Sequence, residues 1–169
     1  MIRKLRTAAL LLTGPAALGL SLAASGPAAA AGRPDVQAPA VACVTATPIE
    51  LNGFAFAPPE VTPGESSTAD LITTNCTNTT LATTEIWTGQ WLPAVSSGGL
   101  PAGCPVIDPL ARSVTYAPGQ ELAENTTYLV PVGCQAAELA VTVRISTSAG
   151  ASVLTATAYL KIDQITPGS

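Results

Sequence analysis

The stretch that decides the fold is Glu138–Ser146, ELAVTVRIS, with its continuation Val153–Asp163, VLTATAYLKID. In the first, Leu139, Val141, Val143 and Ile145 fall on one side of an extended chain, and Ala140, Thr142, Arg144 and Ser146 fall on the other. In the second, Leu154, Ala156, Ala158, Leu160 and Ile162 alternate with Thr155, Thr157, Tyr159 and Lys161. Strict period-two alternation is the mark of a strand with one buried face, because successive side chains leave the backbone on opposite sides. Ser148, Gly150 and Ser152 lie in or beside the stretch that joins the two, so the pair reads as a hairpin.

Working back toward the N-terminus, the same rule gives five further strands between proline and glycine breaks. They are Glu50–Ala57, with Leu51, Phe54 and Phe56; Ser67–Asn75, with Ala69 and Leu71 inward; Leu81–Leu92; Ser113–Tyr116; and Leu122–Val132, with Leu122, Tyr128, Val130 and Val132 sharing a face. No segment keeps a helical period. Seven strands with frequent turn signals predict an all-β, seven-stranded antiparallel sandwich of immunoglobulin-like type.

The four cysteines test that layout. If successive strands run antiparallel, Cys43, before the first strand, and Cys76, after the second, share one end of the sandwich. Cys104, between the third and fourth strands, and Cys134, between the fifth and sixth, share the other end. A disulfide needs Cα atoms within about 7 Å, so the pairing expected is Cys43–Cys76 with Cys104–Cys134. Antibody-type domains instead join two strands across the core, so the likeness to them is one of architecture.

Residues 1–31 have a basic start (Arg3, Lys4, Arg6), an apolar middle and an Ala-x-Ala end, the three parts of a secretory signal peptide cleaved near Ala31 or Gly32. Residues 32–48 read as a lead-in, 49–165 as the sandwich and 166–169 as a tail. No second apolar run reaches the roughly 18 residues of a membrane span. The expected product is secreted, extracellular and not membrane-spanning, with an even cysteine count suited to an oxidising compartment. Without its leader the chain keeps four basic residues against eleven acids, a net charge of −7. Such a surface repels phosphate backbones, which argues against nucleic acid as a partner.

The chain has no histidine, which removes the usual Ser-His-Asp and Cys-His arrangements and the commonest zinc ligand. No glycine-rich phosphate loop is present, and the acids are scattered along strand edges and turns. The chain is therefore read as no enzyme, with no cofactor and no metal. A weak calcium site, to which Asp108 in the long connection or Glu60 and Glu65 near the first turn would contribute, lacks the spacing of a ligand loop. Three Asn-x-Thr triplets, at Asn75, Asn78 and Asn125, match glycosylation acceptors, but the bacterial character of the leader gives them little weight.

Two candidate surfaces remain. Trp87 and Trp91, four apart on a strand, share a face and form a platform for sugar rings if that face is exposed. In the competing reading Trp87 packs into the core and Trp91 covers the sheet edge beneath the long connection Pro93–Leu110. With seven aromatic residues in the domain, the core needs most of them. A bulge at Gly89 would split the pair. The connection itself, with Pro101, Cys104, Pro105, Asp108 and Pro109, is either a plain crossover or a stiffened, disulfide-anchored binding loop. The binding candidates are thus Trp87, Trp91, Pro105 and Asp108. The expected function is surface binding to a protein or cell-envelope partner, with a glycan-binding module or a disulfide-stapled protease inhibitor as alternatives.

The segments TNCTN, W-x-G-x-W, GCPVIDPL, YAPGQ and Tyr128 with VPVGC resemble uncharacterised small exported proteins of actinobacteria that carry a single immunoglobulin-like domain. The resemblance covers about residues 50–163 and implies that fold and location, with no catalytic or binding residues to carry over. A looser likeness to the enediyne-carrying apoproteins, also secreted sandwiches with two disulfides, does not extend to cysteine spacing or loop sequence.

Overall fold

A computed structural model describes residues 43–44, 46–95 and 99–164, all within one compact unit, Gln37–Ser169. The leader, most of the lead-in and the tail lie outside the described residues. Eight strands are present: β1 Ile49–Ala57, β2 Glu60–Val61, β3 Ser66–Asn75, β4 Leu81–Leu92, β5 Leu110–Tyr116, β6 Glu121–Leu129, β7 Glu138–Thr147 and β8 Ser152–Ile162. They form a three-stranded sheet, β1-β3-β6, and a five-stranded sheet, β2-β8-β7-β4-β5. The described residues include no helix, and so none long and apolar enough to cross a membrane.

The hairpin β7–β8 keeps the alternation of its sequence. Leu139, Val141, Val143 and Ile145 are buried, as are Ala158, Leu160 and Ile162, while Thr155, Thr157, Tyr159 and Lys161 are exposed. Inner residues of both sheets meet in one core, where Phe54 of β1 packs edge-on to Trp87 of β4 with ring centroids 5.5 Å apart. Each large apolar side chain fully buried there contributes about 1.5–3 kcal/mol.

Two expectations are corrected, and one possibility raised by the sequence is closed. The strand count is eight, not seven, because Pro58 and Pro59 have no N–H to offer a ladder. The chain leaves the smaller sheet there, and Glu60–Val61 pairs with β8 of the larger one, in parallel. Val132 does not share the inner face of Leu122, Tyr128 and Val130. β6 ends at Leu129, Pro131 interrupts the extended run, and Val132 lies in the following turn, 85% exposed. Nor does β4 bulge at Gly89: its register with β7 runs unbroken from Thr83↔Thr147 to Leu92↔Glu138. The bulge of the smaller sheet is in β1, between Leu51 and Gly53.

Both disulfides form as the strand directions require. Cys43–Cys76 spans 5.8 Å between Cα atoms, at the end where Ile49 of β1 faces Asn75 of β3, and Cys104–Cys134 spans 4.4 Å. Asn75, the first of the Asn-x-Thr residues, is buried. Its side-chain amide donates to the carbonyls of Thr79 and Ala117 at 2.9 Å each, tying the β3–β4 turn to the β5–β6 turn. It is a structural residue and offers no glycan acceptor.

Candidate functional site

Unbroken pairing through Gly89 keeps Trp87 and Trp91 on one face, and that face is the inner one. Trp87 is 1% exposed and Trp91 is 3% exposed. Trp87 donates its indole N–H to Glu85 Oε2 at 3.2 Å, and Trp91 donates its own to the Pro105 carbonyl at 2.7 Å. No aromatic platform faces solvent here, so the glycan reading built on these two rings does not hold.

Between the two rings Gly89 leaves a notch, and Ile107 of the β4–β5 connection fills it. A Cβ on Gly89 would lie 2.7 Å from Ile107 Cδ1, a contact that requires one side to move. The connection is therefore pinned to β4 at two adjacent points, Pro105 by a hydrogen bond and Ile107 by packing. A third anchor is the Cys104–Cys134 bridge to the β6–β7 connection. The two backbones approach so closely there that a Cβ on Gly103, whose φ is +73°, would lie 2.2 Å from the Gly133 carbonyl oxygen. Gln135 N–H also donates to the Ala102 carbonyl at 2.9 Å. Glycine is required at 103 on both counts, since other residues are disfavoured at positive φ and no side chain fits.

On this stapled end Val106 is 77% exposed and Val132 is 85% exposed. Each lies two residues from its half of the bridge. Pro105 and Asp108, singled out from the sequence, are exposed in the same segment. Val106 carries no signal of its own in the sequence, because its prominence comes from anchors supplied by β4 and by Cys134. Gly64 of the β2–β3 turn borders Val132: a Cβ on Gly64 would lie 3.3 Å from Val132 Cγ2. That turn is closed by Glu65 Oε2, which accepts from Thr62 N–H at 2.8 Å, and this hydrogen bond holds the Glu65 carboxyl below its ordinary pKa. Glu60 is engaged by Lys161 at 2.6 Å. Asp108, Glu60 and Glu65 are not brought together as a cation site.

The second cluster lies inside. Glu85 is 0% exposed, its Oε1 accepting from Tyr116 O–H at 2.9 Å and its Oε2 from Trp87. The Tyr116 oxygen in turn lies 3.0 Å from Thr73 Oγ1 of the opposite sheet. Burial pushes the pKa of Glu85 up, against the opposing effect of its hydrogen bonds from Tyr116 and Trp87, and burial also raises that of Tyr116. Arg112 of β5 sits over the Trp87 ring, 5.4 Å from its centroid, and reaches across to Glu124 at 3.2 Å and Thr126 at 2.8 Å on β6. That reach clamps together two strands that each end their sheet. The sequence reading of the acids as a scattered, solvated set fails at Glu85. Residue parity offers the clue, since Thr83, Glu85 and Trp87 share a face and Trp87 points inward.

Cys43, Cys76 and Glu50 bring two sulfurs and a carboxylate within 4.8 Å. Both sulfurs are in a disulfide, which leaves no thiolate to bind a metal.

No protein-family model matches the sequence, and no curated protein matches it. Among solved structures, the Pseudomonas fluorescens alkylpurine DNA glycosylase AlkC bound to DNA is similar over 68% of this chain and 31% of its own, at 8% identity and a TM-score of 0.48. The sporulation control protein Spo0M of Bacillus subtilis is similar over 68% of this chain and 47% of its own, at 13% identity and 0.39. A PapD-like domain of human CEP192 is similar over 71% of this chain and 88% of its own, at 13% identity and 0.42. The chain thus spans about a third of the first of these and about half of the second. Nothing of what they do is carried over to it.

Proposed function

We propose that this protein is a secreted, non-enzymatic binding domain of immunoglobulin-like type that acts on a protein or cell-envelope partner through its stapled loop end. The observation that carries this reading is the exposure of Val106 and Val132 on backbone fixed by a disulfide, the seating of Ile107 in the Gly89 notch, the close Gly103–Gly133 backbone approach and an indole hydrogen bond. Valine is stiff at χ1, and an anchored backbone has little freedom left to lose, so binding costs little ordering entropy there. The negative charge of the domain favours a partner with a cationic surface around an apolar contact. Export is supported by the leader-like residues 1–31 together with the two disulfides, which persist in oxidising compartments. The immunoglobulin-like assignment is supported by the two-sheet, all-β strand order and by the way β1 and β2 divide between the sheets, and kinship with the exported actinobacterial proteins by the sequence segments alone.

Photo-crosslinking tests the reading. A photoreactive residue at Val106 or Val132 of the oxidised protein is expected to capture a partner from the medium or envelope fraction. Unlabelled wild-type protein should compete and Val132→Asp should not. The same probe at Thr157, on the outer face of the larger sheet, should capture nothing. Capture through Thr157 alone would place the binding surface elsewhere.

A further inference from the structure

We infer that Pro105-Val106-Ile107 is the contact loop of a serine endopeptidase inhibitor, with Val106 entering the specificity pocket of an enzyme that accepts small branched side chains. The inference rests on the loop-end reading above and names its partner. An endopeptidase binds the residues around the bond it attacks as an added strand, through their main-chain groups, and selects the sequence through one side chain in a pocket. Among the described residues, the Val106 N–H and carbonyl make no hydrogen bond, so both are free to pair. Its side chain is 77% exposed, between the hydrogen-bonded carbonyl of Pro105 and the packed side chain of Ile107.

The anchoring is on both sides of the Val106–Ile107 bond. On the N-terminal side are the Cys104–Cys134 bridge and the Trp91 hydrogen bond to the Pro105 carbonyl at 2.7 Å. On the C-terminal side Ile107 is seated in the Gly89 notch. Hydrolysis breaks that amide C–N bond and adds one water, giving a Val106 carboxylate and an Ile107 ammonium that carries the remaining proton. Both new ends would stay held in place, so the cut loop neither leaves the enzyme readily nor loses the geometry for resealing. An ordinary substrate segment has no such restraint. Valine is short and branched, which suits a small pocket of the elastase kind and leaves a trypsin-type pocket, with its buried aspartate, unfilled.

The test is a change of specificity at one exposed residue. Oxidised wild-type protein should inhibit an elastase-type endopeptidase and leave a trypsin-type enzyme untouched. Val106→Lys should inhibit the trypsin-type enzyme and weaken elastase inhibition by about 100-fold or more. Val106→Asp should inhibit neither, with circular dichroism reporting an intact fold in each variant. The inference is overturned if wild-type protein fails to inhibit, if it is cut at Val106–Ile107 and released as a plain substrate, or if Val106→Lys leaves the preference unchanged. In any of these cases crosslinking through Val132 decides separately whether the loop end is still a binding surface.

Discussion

At Glu85 a carboxyl group lies between the sheets with one oxygen taken by Tyr116 and the other by Trp87. Burial raises its folded-state pKa above the ordinary value of 4.5. As pH climbs past that ordinary value, the unfolded chain releases the proton while the folded chain still holds it. Stability therefore falls with rising pH, until the raised folded value is passed. Glu85→Gln keeps an acceptor and removes the titration. Urea midpoints between pH 4 and 8 should slope downward more steeply for wild type than for this variant, and equal slopes would refute the account of Glu85. At Gly89 the argument is one of volume. Gly89→Val should cost about 1–3 kcal/mol by expelling Ile107 from its notch. Ile107→Ala in the same chain should recover part of that loss, a coupling that a double-mutant cycle measures directly.

Among the elements, strands whose side chains alternate cleanly are legible in the sequence. β7 and β8 can be read residue by residue, because a two-residue period leaves one possible assignment of faces. β2 cannot, since two residues have no period and the pairing partner, Lys161–Ile162, is about a hundred positions away. The end of β6 is misleading because Val132 continues the alternation of Tyr128 and Val130 while Pro131 between them turns the chain. The disulfides follow from strand direction alone, which is why the order of strands and cysteines along the chain suffices to pair them. Each closes a loop of about thirty residues and should contribute about 3–4 kcal/mol. Replacing either pair with serine should lower the urea midpoint by similar amounts. Only loss of Cys104–Cys134 should raise hydrogen exchange across residues 99–109, and an equal rise on losing Cys43–Cys76 would contradict the assigned anchor.

For the whole molecule, the two tryptophans lie buried beneath the stapled loop end and are not part of its exposed surface. The scarcity of aromatics in the sequence already favours that reading. Val106 is not legible there, because what makes it prominent is distributed over Gly89, Trp91 and Cys134, none of which adjoins it in the chain. The measurement that tests this arrangement most directly is acrylamide quenching of tryptophan fluorescence in the oxidised protein, with Trp87→Phe and Trp91→Phe measured separately. Both indoles should be shielded while the disulfides are intact, and Trp91 should become accessible when the Cys104–Cys134 bridge is removed and the loop lifts from it. Free quenching of Trp91 in the oxidised protein would contradict the account, because the loop could not then be held by that ring.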